Sequence, residues 1–145
     1  YWVGTSDGGL NLILEDRAYY FQEDIKLPHS IAGGTIRGIA KDSINNKIWF
    51  ASTRGLSFID LATFDPEVPK FTSLRQNSED SNSISSNFIR DIALDKNGIL
   101  WAATASDGIF NIRYLSKKDF RIEKFLNDPS DPGSLASNTT YKIST

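Results

Sequence analysis

Three short runs decide the fold: Tyr1-Trp2-Val3-Gly4-Thr5, Ile48-Trp49-Phe50-Ala51-Ser52-Thr53 and Leu100-Trp101-Ala102-Ala103-Thr104. Each is an apolar, strand-favouring segment closed by threonine. A glycine follows every time, in Gly8-Gly9-Leu10-Asn11-Leu12-Ile13, Gly55-Leu56-Ser57-Phe58-Ile59-Asp60 and Gly108-Ile109-Phe110-Asn111-Ile112. The tryptophans are spaced by 47 (2 to 49) and 52 (49 to 101) residues, and Gly9, Gly55 and Gly108 keep step with spacings of 46 and 53. Asp80, Ser83, Ile84, Ser86 and Asn87 recur 51 positions later as Asp131, Ser134, Leu135, Ser137 and Asn138. Three landmarks on one period of about 50 residues mark an internal repeat.

Within one period the pattern is that of strands. Phe88 to Leu94 is a short apolar run with Arg90 and Asp91 inside it, and Asp95-Lys96-Asn97-Gly98 supplies a tight hairpin turn. Ile99 to Thr104, Ile109 to Tyr114 and Phe120 to Phe125 complete four antiparallel strands. The same frame fits Thr35 to Lys41, Lys47 to Thr53, Leu56 to Leu61 and Lys70 to Leu74. Trp2 to Thr5, Leu10 to Leu14 and Tyr19 to Gln22 make a copy without its first strand, and Thr139 to Ser144 is expected to open a fourth copy. The polar segments from Asn77 to Ser86 and from Asn127 to Ser137 have the composition of surface loops.

Four-stranded units at this period describe an all-β fold, a β-propeller segment of about three blades. The expected units are residues 1–32 (strands two to four of a blade), 33–76, 85–127, and 138–145 (the first strand of the next). Each small sheet is apolar on both faces, so neighbouring blades must cover it. Trp2, Trp49 and Trp101 then read as inter-blade packing, with each indole N–H finding a partner at a sheet edge.

The 145 residues carry 16 Lys+Arg against 18 Asp+Glu, a net charge of -2. No long-range positive field exists to gather nucleic acid or anionic lipid. With Cys 0 and His 1, thiolate chemistry is excluded and imidazole chemistry is reduced to His29, in a connector and read as an exposed loop residue. No apolar run reaches the roughly 18 residues of a membrane span. No Gly-x-Ser-x-Gly elbow and no phosphate-cradling glycine pattern is present, so no catalytic residue and no cofactor is expected. Asp95, Asn97 and Gly98 lack the further ligands of a calcium loop at the required spacing, so no metal is expected. Asp7 and Asp107, in matching Ser-Asp-Gly contexts, read as turn residues bonding to their own backbone.

The pattern Ile/Leu-Trp-x-Gly/Ala-Thr followed by Gly-Leu-Asn, together with the connector Asn127-Asp128-Pro129-Ser130-Asp131-Pro132-Gly133-Ser134-Leu135-Ala136-Ser137-Asn138, resembles the two-component regulator propeller repeat. The resemblance extends along essentially the whole chain. It departs at Arg54-Gly55, which lacks the second glycine, at Gly33-Gly34 in place of Ser-Asn, and at Ala102-Ala103 in place of an apolar-Gly pair. It implies the periplasmic sensor region of a hybrid two-component histidine kinase of Bacteroidetes, with two propellers, a small β-sandwich, a membrane helix and kinase, receiver and DNA-binding domains in the parent. The implied role is to sense oligosaccharides and switch on glycan-utilisation genes, acting as a homodimer. The Asn138-Thr139-Thr140 sequon signifies little in such a bacterial source.

Arg37, Arg90 and Tyr141 fall at equivalent places on successive first strands, 53 (37 to 90) and 51 (90 to 141) residues apart. In a propeller that strand lines the axial channel. Repeated positions first report repeated structure, with long side chains filling the channel and pairing with Asp91 or backbone carbonyls. The functional alternative is a ligand site for sugars, including those with carboxylate or sulfate groups that arginine grips bidentately. Trp2, Trp49, Trp101, Gly9, Gly55, Gly108, Asn87 and Asn138 read as structural repeat positions. A second functional class is a protein-interaction scaffold binding another polypeptide through its loops. Three units fall short of the four to eight blades of closed propellers, so the chain reads as an arc whose remaining blades are its partners. Expressed alone, it is expected to associate through uncovered blade faces; sedimentation velocity checks this, and a compact monomer would refute it.

Overall fold

The computed structural model describes residues 1–116 and 119–145. Three antiparallel sheets follow one another along the chain. The first holds β1 (Trp2–Gly4), β2 (Leu10–Ile13) and β3 (Ala18–Phe21). The second holds β4 (Ile36–Asp42), β5 (Lys47–Ser52), β6 (Gly55–Asp60) and β7 (Thr72–Leu74); the third holds β8 (Ile89–Leu94), β9 (Leu100–Thr104), β10 (Ile109–Tyr114) and β11 (Phe120–Phe125). In each sheet consecutive strands are neighbours, as in the blades of an incomplete propeller.

The second sheet shows why the repeat exists. Every residue of β5 is buried, because side chains alternate between two covered faces. Ile48 and Phe50 join Leu10, Leu12 and Phe21 of the first sheet in one core. Trp49 and Ala51 join Leu100, Ala102, Phe110 and Ile112 of the third sheet in another. Trp2 lies 5.1 Å from the Phe50 ring and Trp49 lies 6.3 Å from Tyr114, so both indoles pack across a blade boundary. Among the described residues Trp101 stacks on Phe125 of its own sheet alone, at 5.4 Å, and stays half-buried. The expectation of a partner for every indole N–H holds for Trp101, which reaches Asp95. It fails at Trp49, whose N–H is buried without a partner among the described residues. There the surroundings are apolar and the area buried by the ring outweighs the lost bond.

The repeat glycines have a shared cause. Gly9, Gly55 and Gly108 have φ of 78°, 140° and 64°, a region costly for other residues. A Cβ on each would collide with the carbonyl oxygen of Phe21, Leu74 or Phe125 at the end of the sheet's last strand. The preceding hydroxyl closes the same hairpin: Thr5, Ser52 and Thr104 donate to the carbonyls of Gly9, Gly55 and Gly108 at 2.8, 2.9 and 2.8 Å. In the second sheet Ser52, not Thr53, holds the place, so the repeated chemistry is a hydroxyl. Asp7 and Asp107 sit in these turns, but their carboxylates accept from Thr35 Oγ1 at 3.1 Å and Ser106 Oγ at 2.8 Å instead of from their own backbone. A left-handed φ of 77° at Asp7 turns its side chain toward the next connector.

Connectors latch one blade to the next. Asn87 Oδ1 accepts the Gln76 N–H and Asn138 Oδ1 the Asn127 N–H, both at 2.7 Å. Asn82 lies on the third sheet's outer edge like a strand, donating to Phe120 O at 3.0 Å and accepting from Ile122 N–H at 2.8 Å. His29 O, in an exposed connector, accepts the Phe71 N–H at 2.9 Å, just before the outer strand of the second sheet. Glu23 binds Arg54 at 2.8 Å and Arg75 at 2.7 Å, tying the exit of the first sheet to the second.

Two expected strands differ by more than one residue at an end. Lys70 to Leu74 shortens to Thr72–Leu74, since Phe71 bonds to the His29 connector instead of to β6. Thr139 to Ser144 forms no strand and has no ladder partner among the described residues; it is held by scattered bonds, with Thr140 N–H to Thr104 O at 3.1 Å, the Thr140 hydroxyl accepting from Thr104 N–H at 2.9 Å, Ile143 N–H to Asp91 Oδ2 at 3.2 Å and, just beyond, Thr145 Oγ1 to Leu94 O at 2.7 Å.

Two measurements test this packing. In urea unfolding, Trp49→Ala lowers stability by about 3–5 kcal/mol, whereas Trp101→Ala, which uncovers only its own sheet, costs clearly less. Burial raises the Glu23 pKa, but hydrogen bonds from Arg54 and Arg75 outweigh this and hold it below the ordinary 4.5. A depressed folded pKa contributes stability at neutral pH that is lost as pH falls through that range; Glu23→Gln therefore flattens the acid limb of a stability-against-pH curve.

Candidate functional site

The site begins with a register shift on the inner strands. In the ladder of β4 with β5, Ile36 pairs with Ser52 and Gly38 with Ala51, leaving Arg37 as the extra residue of a bulge. In the ladder of β8 with β9, Ile89 pairs with Thr104 and Asp91 with Ala103, leaving Arg90 as the extra residue. A bulge re-aims its side chain away from the two alternating faces of the sheet. Both arginines thereby leave the inter-blade cores and enter one cleft, lined by Thr5, Thr35, Arg37, Phe88, Arg90 and Tyr141 and enclosing about 580 Å³. β4 and β8 lie alongside each other there, and Gly38 permits the approach: a Cβ on it would come within 3.0 Å of Ile92.

All three sequence-predicted ligand residues are thus brought together. The Arg90 guanidinium lies 4.1 Å from the centre of the Tyr141 ring, and that of Arg37 lies 5.3 Å from the Phe88 ring. Such stacking orients a guanidinium while leaving its edge donors free. The Arg90 Nη1 atom is buried without a hydrogen-bond partner among the described residues. Pairing of the arginines with Asp91 does not occur: Asp91 takes Lys142 at 3.5 Å and the Ile143 N–H. Among the described residues neither Arg37 nor Arg90 is paired with a carboxylate. The cleft is cationic on a chain of net negative charge.

Phe88, at the start of the apolar run that becomes β8, is the platform for Arg37, a role that no pattern in the sequence marks. The remaining singled-out residues lie elsewhere. Trp2, Trp49 and Trp101 pack between or on sheets, Gly9, Gly55 and Gly108 shape hairpins, and Asn87 and Asn138 latch connectors. Asp95 holds its own turn: burial raises its pKa, but the Ile99 and Asn97 N–H groups and the Trp101 indole outweigh this and keep it low. A second hollow of about 380 Å³ is lined by Asn45, Lys47, Asp60 and Tyr114. Its ammonium is already occupied, with Asp60 at 3.6 Å and the Phe58 and Tyr114 rings at 5.2 and 5.3 Å. Burial, with Asp42 and Asp60 nearby, pushes the Tyr114 phenol up, so it stays neutral. A third hollow, of about 270 Å³, is mostly apolar and lies on the rim between Tyr20, Leu27, Pro28, Ile31, Pro69 and Phe71.

Comparison with solved structures finds the same fold within larger extracellular domains. The chain is similar to the extracellular domain of the hybrid two-component system BT3049 from B. thetaiotaomicron, with 24% identity and a TM-score of 0.74 over 97% of this chain and 18% of that one. It is also similar to the extracellular domain of BT4673 from the same organism, with 18% identity and a TM-score of 0.65 over 95% of this chain and 16% of that one. The chain therefore spans less than a fifth of the length of either structure. No curated protein matches the sequence. The family model described as two component regulator propeller matches residues 83–106, which run from the connector through Arg90 to the turn after Trp101. That match spans β8 and β9 of the third sheet, within a fold of incomplete propeller blades.

Proposed function

We propose that this chain is a ligand-binding segment of the extracytoplasmic sensor propeller of a hybrid two-component histidine kinase, and that it takes an oligosaccharide in the inner-strand cleft. In this reading the cleft faces the periplasm, the parent acts as a homodimer, and occupancy drives a phosphorelay that regulates glycan-utilisation genes. One observation carries it: two bulges bring Arg37, Arg90 and two aromatic rings into one cleft. Sugars offer hydroxyls to guanidinium edges and flat C–H faces to rings, and a volume of about 580 Å³ lies within the range of small-ligand sites. Signalling requires that the ligand bind one arrangement of the parent more tightly than the other.

The apolar rim hollow favours a second reading, a scaffold that binds a polypeptide. Its surroundings expose Tyr20 at 77%, Leu27 at 59% and Val68 at 62%, the kind of patch that marks interaction surfaces. Calorimetric titration of the intact sensor region with a panel of glycan fragments separates the two. Heat of binding that is lost in Arg90→Gln supports the sugar reading; silence across the panel overturns it in favour of the scaffold.

A further inference from the structure

We infer that Asn97, at the tip of the hairpin between β8 and β9, is a site of spontaneous deamidation, and that Asp95 is the positioning residue that restrains it.

The chemistry needs an asparagine amide, a following residue without a side chain to hinder attack, and access for water. Asn97-Gly98 is the one Asn-Gly pair in the sequence. Asn97 is exposed, and exposure at this tip does not depend on whether a further blade follows. Its counterpart 53 residues earlier, Ile44, packs against Gly98 of the next sheet and is still 63% exposed. In the reaction the Gly98 nitrogen, having lost its proton, attacks Cγ of Asn97. A C–N bond forms, the bond from Cγ to the side-chain nitrogen breaks, and that nitrogen leaves as ammonia. Water then opens the five-membered imide at either carbonyl, leaving aspartate or isoaspartate at position 97. Water is the sole co-reactant, and nothing is oxidised or reduced.

The closed turn holds each participant through Asp95. The Gly98 N–H donates to Asp95 O at 3.0 Å. Asp95 Oδ1 accepts the Asn97 N–H at 2.8 Å and the Ile99 N–H at 2.9 Å, and the Asn97 side chain also bonds to the Asp95 carboxylate. A nitrogen whose proton is bound in the turn is a poor nucleophile, and an amide tethered to a carboxylate is not free to swing onto it. Reaction therefore proceeds from the opened turn, whose population these bonds set. Gly98 is required by the fold as well: its φ is 75°, and a Cβ there would stand 3.2 Å from Ile44. The residue that makes the turn possible is thus the one that makes Asn97 reactive. Isoaspartate moves one carbon from the side chain into the main chain. It lengthens the turn that closes the ladder from Leu94↔Leu100 to Ile89↔Thr104, and so disturbs the register that frees Arg90.

The test incubates the intact sensor region in warm, mildly alkaline buffer, with and without urea. Peptide mapping by mass spectrometry follows amide loss at every asparagine, and enzymatic methylation of isoaspartate gives a second readout. The expected result is conversion at Asn97 ahead of every other asparagine, and slower in the folded protein than in urea. Asp95→Ala speeds it by about tenfold while Asn82 and Asn138 keep their rates, and Asp95→Asn, which retains a side-chain acceptor, stays nearer the parent rate. Retention of the Asn97 amide in the folded protein, or earlier conversion of another asparagine, overturns the site. Equal rates at Asn97 with and without urea, an Asp95→Ala rate equal to the parent's, or equal acceleration at Asn82 and Asn138 overturns the restraint by Asp95.

Discussion

Each sheet in this chain has two apolar faces and only three or four short strands, so it cannot be stable by itself. The second sheet is sandwiched, and β5 is consequently buried along its whole length. Everything else follows from the need to stack such sheets at a fixed spacing. The hairpin must turn within a few residues, which calls for a hydroxyl to close it and a glycine where the last strand crosses. The connector must carry the chain from the outer edge of one sheet to the inner edge of the next, which calls for Asn87 and Asn138 to pin its ends.

The same constraint creates the cleft. Inner strands of adjacent sheets converge, and a side chain obeying strict alternation would point into one core or the other. A bulge on each inner strand breaks the alternation once, and the residue it releases is arginine both times. The ladder loses a pair at the point where a polar side chain is delivered. Structure and candidate function are thus joined at a single irregularity of the backbone.

Much of the fold was legible in the sequence because stacking imposes residue types. Tryptophan at the second strand, glycine after the hairpin and asparagine at the connector's end each answer a local demand that few other residues meet. Arg37, Arg90 and Tyr141 could be aligned by period alone, and they do share a cleft. What could not be read is of another kind. A bulge is a one-residue difference in register between two strands and leaves no signature in either. That Asn82 would mimic a strand at Phe120 and Ile122, or that Glu23 would join Arg54 and Arg75, depends on where distant segments meet. Ser52 replaces threonine because the hairpin needs an oxygen and is indifferent to the methyl group. Thr139 to Ser144 has the composition of a strand but no ladder partner, and composition cannot provide one.

The connectors give the repeat its natural frame. Asn82 shields the outer edge of the sheet that follows it in sequence, and the His29 segment does the same for the sheet after it. The self-contained module is therefore a connector together with the sheet behind it, and not a sheet with its trailing loop. A gene built by tandem duplication in that frame delivers each new copy with its own edge protection. Copying in the other frame would leave the outer edge of the first sheet bare and a connector without its sheet at the end of the array.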